Sequence, residues 1–353
     1  MSSEKRARNG SGGRVTIQDV ADLAGVSIAT VSRVLNSHPD VSPLTRAQVL
    51  KYVNESGYMS NRVIELRPVG RARLIGLAVP DLRGHYVSEI VSAATDALHD
   101  LNARFVICSP DRGSDASLRE RLLPDTTEGA LLITPSDPGE ELLALQESGY
   151  PIVVIEPTMN IDEGIPAVSA TNWAGAKAAT EHLLSLGHTH IGVITGPREW
   201  RISEERLAGY HAALLAASLP LSTRVVQETS ETTIPGGRDA AQKLLSLSHP
   251  PSAIIALSDA MAVGALAAAR AQGLSVPHDL SIVGFDDVET ASIATPALTA
   301  VQQPLHGLGR VGASMLWRLV EGQVLDATRM ELATRLIVRD STAPPRGSSF
   351  MTV

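Results

Sequence analysis

The stretch that decides how this chain is organised is IQDVADLAGVSIATVSRVLN, residues 17–36. Its first half carries apolar residues at helical spacing, which predicts a buried face formed by Val20, Leu23 and Ala24. Gly25 can adopt the left-handed conformation that ends a helix sharply. Ser27 is a typical N-cap, so a second helix should begin just after it. The stretch therefore predicts two short helices joined by a glycine turn.

The second predicted helix has an apolar face made of Val31, Val34 and Leu35. The side chains that remain point outward and are of a size and polarity suited to base edges and phosphates in a DNA major groove. We expect DNA contacts from Ser27, Ile28, Ala29, Thr30, Ser32, Arg33 and Asn36. An ordinary helical hairpin gives the same pattern, so the motif alone leaves both interpretations open.

Charge is unevenly distributed along the 353 residues. The net formal charge is −8, yet residues 1–73 contain eleven Lys or Arg against six Asp or Glu, a charge of +5. The remainder holds 19 basic and 32 acidic residues, a charge of −13. A cationic head on an anionic body is suited to local phosphate binding, with the body repelled from DNA.

Composition narrows the class of protein. A hydrophobic content of 44% supplies sizeable cores, and the single cysteine, Cys108, excludes a disulfide framework and is typical of a reducing cytoplasm. Cys108 lies in an apolar run and is expected to be a buried structural thiol. The sequence has no signal-peptide pattern and no apolar stretch that would span a bilayer, so we expect a cytoplasmic protein.

From Leu74 onward, short β-branched runs alternate with longer amphipathic segments, which predicts parallel sheets covered by helices. The predicted strands are Leu74–Val79, Phe105–Cys108, Ala130–Ile133, Ile152–Ile155, Ile191–Ile194, Ala253–Ala256 and Ile282–Phe285. Breaks near Val168–Asn172 and Pro296–Gln303 are interpreted as crossovers between two lobes, and Leu332–Val338 as a late strand of the second lobe. The apolar stripe within Leu305–Val320 is either core or a dimer interface.

The segment Val15–Pro80 resembles the lactose-repressor/galactose-repressor (LacI/GalR) family of bacterial transcription regulators. The matching stretches there are VTIQDVADLAGVSIATVSRVLN, VSPLTRAQVLKYVNESGYMSN and LIGLAVPDL. The resemblance continues through TNWAGAKAATEHLLSLGHTHIGVITGP, ERLAGYHAAL, LSDAMAVGAL, SIVGFDD and LTAVQQP, in the order of the family. In a third helix, Ser42 would be the cap and Pro43 the first residue.

The resemblance implies an α/β protein with a three-helix helix-turn-helix head and a two-lobed, periplasmic-binding-protein-like core with parallel sheets. The expected divisions are a disordered basic arm (1–14), the head (15–60), a linker (61–73), the core (74–343) and a tail (344–353). Lobe 1 would contain about residues 74–168 and 304–325, and lobe 2 about residues 169–298 and 328–341. The implied function is repression of carbohydrate genes by a homodimer on a pseudo-palindromic operator, controlled by a sugar-like effector, with no enzymatic activity, cofactor or metal.

The linker departs from the family pattern. Members of the family usually carry Ala-Arg-x-Leu here, with a leucine that wedges into the minor groove, but this chain has Glu65 and Arg67 at the arginine and leucine positions. Leu66 lies one residue early, about 100° away on a helix, and Pro68 disfavours helical geometry at Arg67. Either Leu66 intercalates, or Arg67 enters the minor groove, or Arg62, Arg67, Arg71 and Arg73 only contact phosphates. Thr16 and Asn61 complete the predicted DNA contacts.

Candidate effector ligands follow the predicted strands. Carboxylates accept hydrogen bonds from sugar hydroxyls, an arginine donates, and an aromatic ring covers a C–H face. By resemblance, Arg206 and Asp286 bind the effector, and Asp287 caps the following turn. The predicted effector site is Tyr86, Glu156, Trp200, Arg206, Ser258, Asp259, Asp286 and Gln303. Trp173 is either pocket wall or helix packing.

Other features of the sequence raise four alternative interpretations. The histidines at 182, 188 and 190 have no further metal ligand at useful spacing and are interpreted as a helix end followed by a strand. A transporter's sugar-binding protein would share the core architecture, but the basic head disfavours it. An α/β enzyme ranks last because the sequence has no recognisable nucleophile or phosphate loop. A corepressor, or a phosphorylated or other non-sugar ligand, stays open because Arg198, Arg201 and Arg206 cluster in sequence.

Overall fold

The computed structural model describes residues 17–35, 41–56, 73–80, 82, 84–109, 116–222 and 225–346. The chain divides into two compact units, Met1–Arg71 and Ala72–Val353. The first is the head and the second is the core.

The described part of the head consists of three helices, α1 (Ile17–Ala24), α2 (Ile28–Leu35) and α3 (Pro43–Ser56). Their shared core is made of Val20, Ala21, Ala24, Val31, Val34 and Val49. Leu23 was expected in this core, and that prediction is wrong, because its side chain is 53% exposed. Neighbouring helical positions differ by about 100°, and the small residues Ala21 and Ala24 form the face that packs inward instead.

The helix boundaries in the head follow from capping. Gly25 has φ of 63°, the left-handed conformation expected at the turn. The Thr30 backbone N–H donates to Ser27 Oγ at 3.1 Å, and the Thr45 N–H donates to Ser42 Oγ at 3.2 Å. Both N-caps are therefore confirmed. Gln48 Nε2 on α3 donates to the Ala24 carbonyl at 3.2 Å, which satisfies the end of α1.

Two six-stranded sheets form the core, one in each lobe. The lobe 1 sheet has the order β11-β5-β4-β3-β1-β2 and the lobe 2 sheet has the order β12-β10-β9-β8-β6-β7. In lobe 1 the strands are β1 (Arg73–Ala78), β2 (Ala103–Cys108), β3 (Ala130–Ile133), β4 (Ile152–Ile155), β5 (Ala167–Ala170) and β11 (Arg329–Leu332). In lobe 2 they are β6 (Ile191–Thr195), β7 (Val226–Glu228), β8 (Ala253–Ala256), β9 (Ser281–Asp286), β10 (Thr299–Gln302) and β12 (Arg335–Ile337).

Helices cover both sheets. Lobe 1 carries α4 (His85–Asp100), α5 (Leu118–Leu122), α6 (Gly139–Glu147) and α12 (Leu305–Val320). Lobe 2 carries α7 (Asn172–Ser185), α8 (Arg201–Ala216), α9 (Ile234–Leu245), α10 (Asp259–Ala271) and α11 (Glu289–Ile293). The apolar stripe of α12, including Leu308, Met315 and Leu316, is buried in the lobe 1 core, which decides between core and dimer interface in favour of core.

The chain crosses between the lobes three times. It leaves lobe 1 after β5, returns after β10, and crosses again between β11 and β12. Residues 328–341 were all expected in lobe 2, but Arg329–Leu332 pairs parallel with β5 in lobe 1, and β12 pairs antiparallel with β10. Two hydrogen bonds hold the segment after β11 against the segment after β5. The Thr171 N–H donates to the Leu332 carbonyl and the Thr334 N–H donates to Thr171 Oγ1, both at 2.9 Å.

No helix in the described ranges is long and apolar enough to cross a membrane.

Candidate functional site

Polar side chains from both lobes meet where the parallel strands end. Glu156 follows β4, Asp286 ends β9, Gln303 follows β10, and Arg206 reaches in from α8. Ligands of open α/β sheets bind outside the carboxyl ends of the strands. This group, together with Asn172 at the start of α7, is called the cleft cluster below.

Backbone strain is concentrated at the same strand ends. Thr134 after β3, Glu156 after β4 and Asp286 at the end of β9 have φ of 45°, 52° and 109°. Residues other than glycine rarely adopt positive φ, and when they do the strain often accompanies a functional site.

Arg206 is the centre of the cleft cluster. Its Nε donates to Asn172 Oδ1 at 2.8 Å, and its Nη1 donates to the Leu257 carbonyl at 2.6 Å and lies 3.5 Å from Asp286 Oδ1. The guanidinium carbon stands 3.9 Å from the centre of the Phe285 ring, a cation–π contact. These contacts fix the guanidinium plane, and Nη2 makes no hydrogen bond within the described ranges, so its donors are available to a ligand.

Gln303 holds Asp286 through two hydrogen bonds, in addition to the contact with Arg206. Gln303 Nε2 donates to its Oδ1 at 2.6 Å, and the Gln303 backbone N–H donates to its carbonyl at 3.1 Å. Burial raises the pKa of Asp286 to about 6, against the opposing effects of Arg206 and Gln303. Arg206, Asp286 and Gln303, three of the residues proposed from the sequence, form a connected donor and acceptor set.

Glu156 is connected to Arg206 through Asn172. The Ala170 N–H donates to Glu156 Oε1, and Asn172 Nδ2 donates to Oε2 at 3.0 Å. Burial raises the pKa of Glu156 to about 7. Asn172 was absent from the predicted site. It lies at the predicted crossover, two residues after the end of β5, and this position was the signal that could have identified it.

Tyr86 and Gln303 each present a buried polar atom without a hydrogen bond. The Tyr86 hydroxyl and Gln303 Oε1 make no hydrogen bond of good geometry in the part of the chain that the structure describes, although the Gln303 side chain lies close enough to the Tyr86 hydroxyl to lower its pKa. Burial raises the pKa of Tyr86 well above its usual value, with a further contribution from Glu156. Burying such atoms unpaired is costly, so both are suited to hydrogen bonds with a bound molecule. Thr195 Oγ1, at the end of β6, is a third such atom that sequence reasoning missed.

Ser258 and Asp259 lie at the start of α10 and accept hydrogen bonds from backbone N–H groups. Ser258 Oγ accepts from the Met261 N–H at 3.3 Å and caps α10, while Asp259 Oδ2 accepts from the Val288 N–H at 2.8 Å. Asp259 is fully buried, and burial followed by repulsion from Asp286 raises its pKa well above the usual range. Ser258 thus orders the start of α10 and Asp259 Oδ2 the turn after β9, while Asp259 Oδ1 makes no hydrogen bond in the described ranges.

Asp287 does not cap the following turn, contrary to expectation. Its Oδ1 lies 2.6 Å from Arg339 Nη1 and its Oδ2 accepts from Gln302 Nε2 at 2.8 Å. The residue before α11 is Val288, which has no side-chain cap. Asp287 has φ of 56°, and the side chain instead joins β9 to the last segment of the chain.

Two of the three tryptophans lie at helix starts. Trp200 directly precedes α8 and is half-buried, and the next residue ties the lobes together, since the Arg201 N–H donates to the Thr158 carbonyl at 2.7 Å. Trp173, the second residue of α7, is 46% exposed. Its backbone carbonyl faces Gly209, where a Cβ would lie 2.1 Å away, so glycine is needed for α8 to approach α7.

His188 is part of a structural hydrogen-bond group. Its Nδ1 pairs with Ser252 Oγ at 2.9 Å, and its Nε2 lies 2.9 Å from the Ala343 carbonyl. Burial lowers its pKa. The described ranges contain no group of His, Cys, Asp and Glu that could hold a metal ion.

The outward face of α2 is available as predicted. Ile28, Ala29 and Arg33 are exposed, Ser32 is half-buried, and Thr30 shares a 2.8 Å hydrogen bond with Ser27. The predicted contacts Thr16, Asn36, Asn61, Leu66 and Arg67 lie outside the described residues.

Arg73 was one of four arginines proposed as phosphate contacts, but in the structure it makes contacts within lobe 1. It lies 2.8 Å from Glu321 and 3.6 Å from Glu128, donates to the Val320 carbonyl at 3.1 Å, and stacks at 5.3 Å on Trp317. The charge of Arg73 is thus used within lobe 1, where it anchors the start of β1 to the end of α12.

Comparison with known proteins places both units. The family model for bacterial regulatory proteins of the lacI family matches residues 16–61, and the model for periplasmic binding protein-like domains matches residues 180–342. The ribose operon repressor of Halalkalibacterium halodurans is 34% identical over 337 residues, which cover 93% of this chain and 97% of that protein.

Solved structures give the same result. The complex of the transcriptional regulator CelR with cellobiose has a TM-score of 0.71 at 33% identity and covers 93% of this chain and 100% of that one. The lac repressor dimer bound to operator and the anti-inducer ONPF has a TM-score of 0.68 at 29% identity over 94% of this chain and 100% of that one. This chain therefore belongs to the LacI family of bacterial regulatory proteins, DNA-binding transcription regulators with a periplasmic-binding-protein-like effector domain.

Proposed function

We propose that this protein is a repressor of carbohydrate genes that binds a pseudo-palindromic operator as a homodimer and responds to a neutral sugar. The observation that carries the effector assignment is the cleft cluster, in which Arg206 Nη2, the Tyr86 hydroxyl and Gln303 Oε1 make no hydrogen bond of good geometry in the described ranges. Donors and acceptors placed together in this way suit a polyhydroxylated ligand. The relatives named for ribose and the CelR–cellobiose complex support the same ligand class.

The charge balance disfavours a phosphorylated ligand. Arg206 lies beside Asp286, Arg201 Nε lies 2.7 Å from Glu205, and Arg198 lies 3.3 Å from Glu228. Each arginine that could attract an anion already has a carboxylate neighbour, and Glu156 adds a further acidic group. A phosphate in this cleft would meet unfavourable electrostatics, whereas neutral hydroxyls would not.

A second copy of the chain is the proposed partner of the lobe 1 edge. Strand β2 lies at the end of its sheet, and Phe105 and Ile107 on it are 43% and 39% exposed. An open strand edge with apolar side chains favours association. Two heads are also needed because one recognition helix contacts too few base pairs for specificity in a genome. Such a regulator acts on the chromosome, hence in the cytoplasm.

The DNA contacts proposed for the head are those of the outward face of α2, with Arg33 as the long exposed donor. In the linker, Arg67 and Leu66 are alternative minor-groove contacts, with Thr16, Asn36 and Asn61 completing the set. Lobe closure around the effector would change the spacing of the two heads and so the affinity for operator.

Thermal-shift screening against neutral sugars and their phosphate esters tests the ligand class. A ligand at 100 times its dissociation constant stabilises the folded chain by about 2.7 kcal/mol. We expect stabilisation by a neutral sugar and its loss in Arg206→Ala. Stabilisation by a phosphate ester alone would refute the proposed ligand class and favour a corepressor of that chemistry.

A further inference from the structure

Glu156 lies behind the cleft and not on its surface. Its side chain is fully buried, and both carboxylate oxygens already accept hydrogen bonds, Oε1 from the Ala170 N–H and Oε2 from Asn172 Nδ2. Since Glu156 belongs to lobe 1 and Asn172 begins the first helix of lobe 2, this pair joins the two lobes.

The orientation of the Asn172 amide is determined by its neighbours. Nδ2 faces two acceptors, Glu156 Oε2 at 3.0 Å and the Ala170 carbonyl at 3.3 Å, while Oδ1 accepts from Arg206 Nε at 2.8 Å. Turning the amide over would place an N–H₂ group against the Arg206 N–H and oxygen against oxygen. The arrangement therefore needs Glu156 as an acceptor on both oxygens, and its ionised form provides this without an O–H donor that would compete on one side.

Burial disfavours the ionised form of Glu156, and few nearby charges offset this effect. Two charged groups of α8 act on Glu156: Arg206 stabilises its carboxylate and Glu205 destabilises it. Tyr86 faces Glu156 from α4. The Ala170 backbone N–H and the Asn172 side-chain amide also favour the charged state. Burial is nevertheless the largest effect, and it raises the pKa of Glu156 to about 7. Glu156 is thus poised between its two states near neutral pH.

We propose that Glu156 and Asn172 are positioning residues that act as a proton-sensitive relay, in which ionised Glu156 orients Asn172 and Asn172 orients Arg206 for the effector. Protonation at Oε2 weakens the bond from Asn172 directly, and protonation at Oε1 weakens the bond from Ala170 that holds the carboxylate in place. Either change loosens Asn172, whose Oδ1 is one of the contacts that hold the guanidinium plane of Arg206. This inference rests on the proposed function of the cleft. The relay should make the affinity for a neutral sugar higher above neutral pH than below it.

The relay can be tested without any effector, by NMR of the Arg206 side chain in the full-length chain. The Nε–H signal is identified by its loss in Arg206→Lys, and its hydrogen-exchange protection factor is measured between about pH 6 and pH 8.5, a range that spans the pKa of Glu156 near 7. We expect protection to rise about tenfold with pH, corresponding to about 1.4 kcal/mol. Glu156→Gln, which cannot accept on both sides, should have low protection throughout.

Glu204→Gln is the matched control, because it makes the same substitution at an exposed position of α8. It should reproduce the parental profile. Protection that is independent of pH in the parent, or equal in Glu156→Gln and the parent, would overturn the relay. Should Glu156→Gln fold poorly, the profile of Asp286→Asn decides the matter, because the pKa of Asp286 is about 6 and this variant removes its contribution to the parental profile. Because no sugar is present, this result is independent of whether the chain binds one, and a failed sugar screen would count only against the proposed function.

Discussion

Replacing Glu156 by glutamine should change how the stability of the core depends on pH. The pKa of this carboxyl is about 7 in the folded chain, against 4.5 for an ordinary glutamate. A folded-state pKa above the unfolded value gives stability that is present at low pH and is lost as the pH rises through the folded value. The parent should therefore lose stability between pH 5 and pH 8 through Glu156, while the glutamine variant has no such loss.

The size of the effect follows from the two pKa values. Integrating the difference in proton binding between a pKa of 4.5 unfolded and about 7 folded gives a loss of about 2.5 kcal/mol from pH 5 to pH 8. Glutamine does not titrate, so any constant change it makes to the free energy of unfolding is the same at both pH values and cancels when the two are compared. Contributions from Asp286 and other groups cancel in the same way between parent and variant.

The assay is urea unfolding of the core at pH 5 and pH 8 for the parent, Glu156→Gln and the control Glu204→Gln. The stability of the parent minus that of Glu156→Gln should fall by about 2.5 kcal/mol between the two pH values. The control should follow the parent. A change smaller than about 0.5 kcal/mol would show that Glu156 keeps an ordinary pKa, and the reasoning from burial would fail.

Arg33→Ala should weaken specific operator binding by about 1–3 kcal/mol at matched salt without unfolding the core; unchanged affinity would remove α2 from the interface. Asp286→Asn should weaken binding of a neutral sugar about tenfold or more in calorimetry while operator affinity without the sugar hardly changes; parental sugar affinity would place the pocket elsewhere. Arg67→Leu should reduce the slope of log affinity against log salt by about 0.9; an unchanged slope with strong loss in Leu66→Ala would identify Leu66 as the intercalator. Phe105→Asp should shift the mass measured by light scattering from dimer to monomer, and an intact dimer would exclude the β2 edge as the interface.

Much of the fold was predictable from local patterns. The four-residue apolar runs at β3, β4 and β8 have the predicted bounds, because a buried parallel strand is a continuous apolar run that few other structures require. The strands at the crossovers were missed. Ala167–Ala170 and Arg329–Leu332 are not continuous runs of large apolar residues, and their position is decided by tertiary contacts, namely their pairing with each other and the hydrogen bond between Thr171 and Thr334.

The site shows the same division. Asp286 and Gln303 could be proposed because they stand at strand ends that must converge, whereas Arg206 lies within α8 and was proposed from the resemblance of ERLAGY to the family. Asn172 was missed, although its place at the crossover was a signal, because an asparagine at a helix start is ordinarily a cap, and the structure places it between Glu156 and Arg206. Asp259 has the sequence position of a ligand but is directed at the Val288 N–H, because the turn after β9 needs an acceptor there.

The most direct test of the central claim is fluorescence anisotropy of the full-length chain on DNA from its own promoter, with and without the sugar that stabilises it in the thermal-shift screen. We predict binding with a dissociation constant of about 10⁻⁸ M or tighter to one palindromic site, at least about a thousandfold tighter than to random duplex at the same salt. The sugar should change that affinity by about fivefold or more, and Arg206→Ala should abolish the change while it retains operator binding. Binding no tighter to the promoter than to random duplex, or an operator affinity that a bound sugar leaves unchanged, would contradict the account.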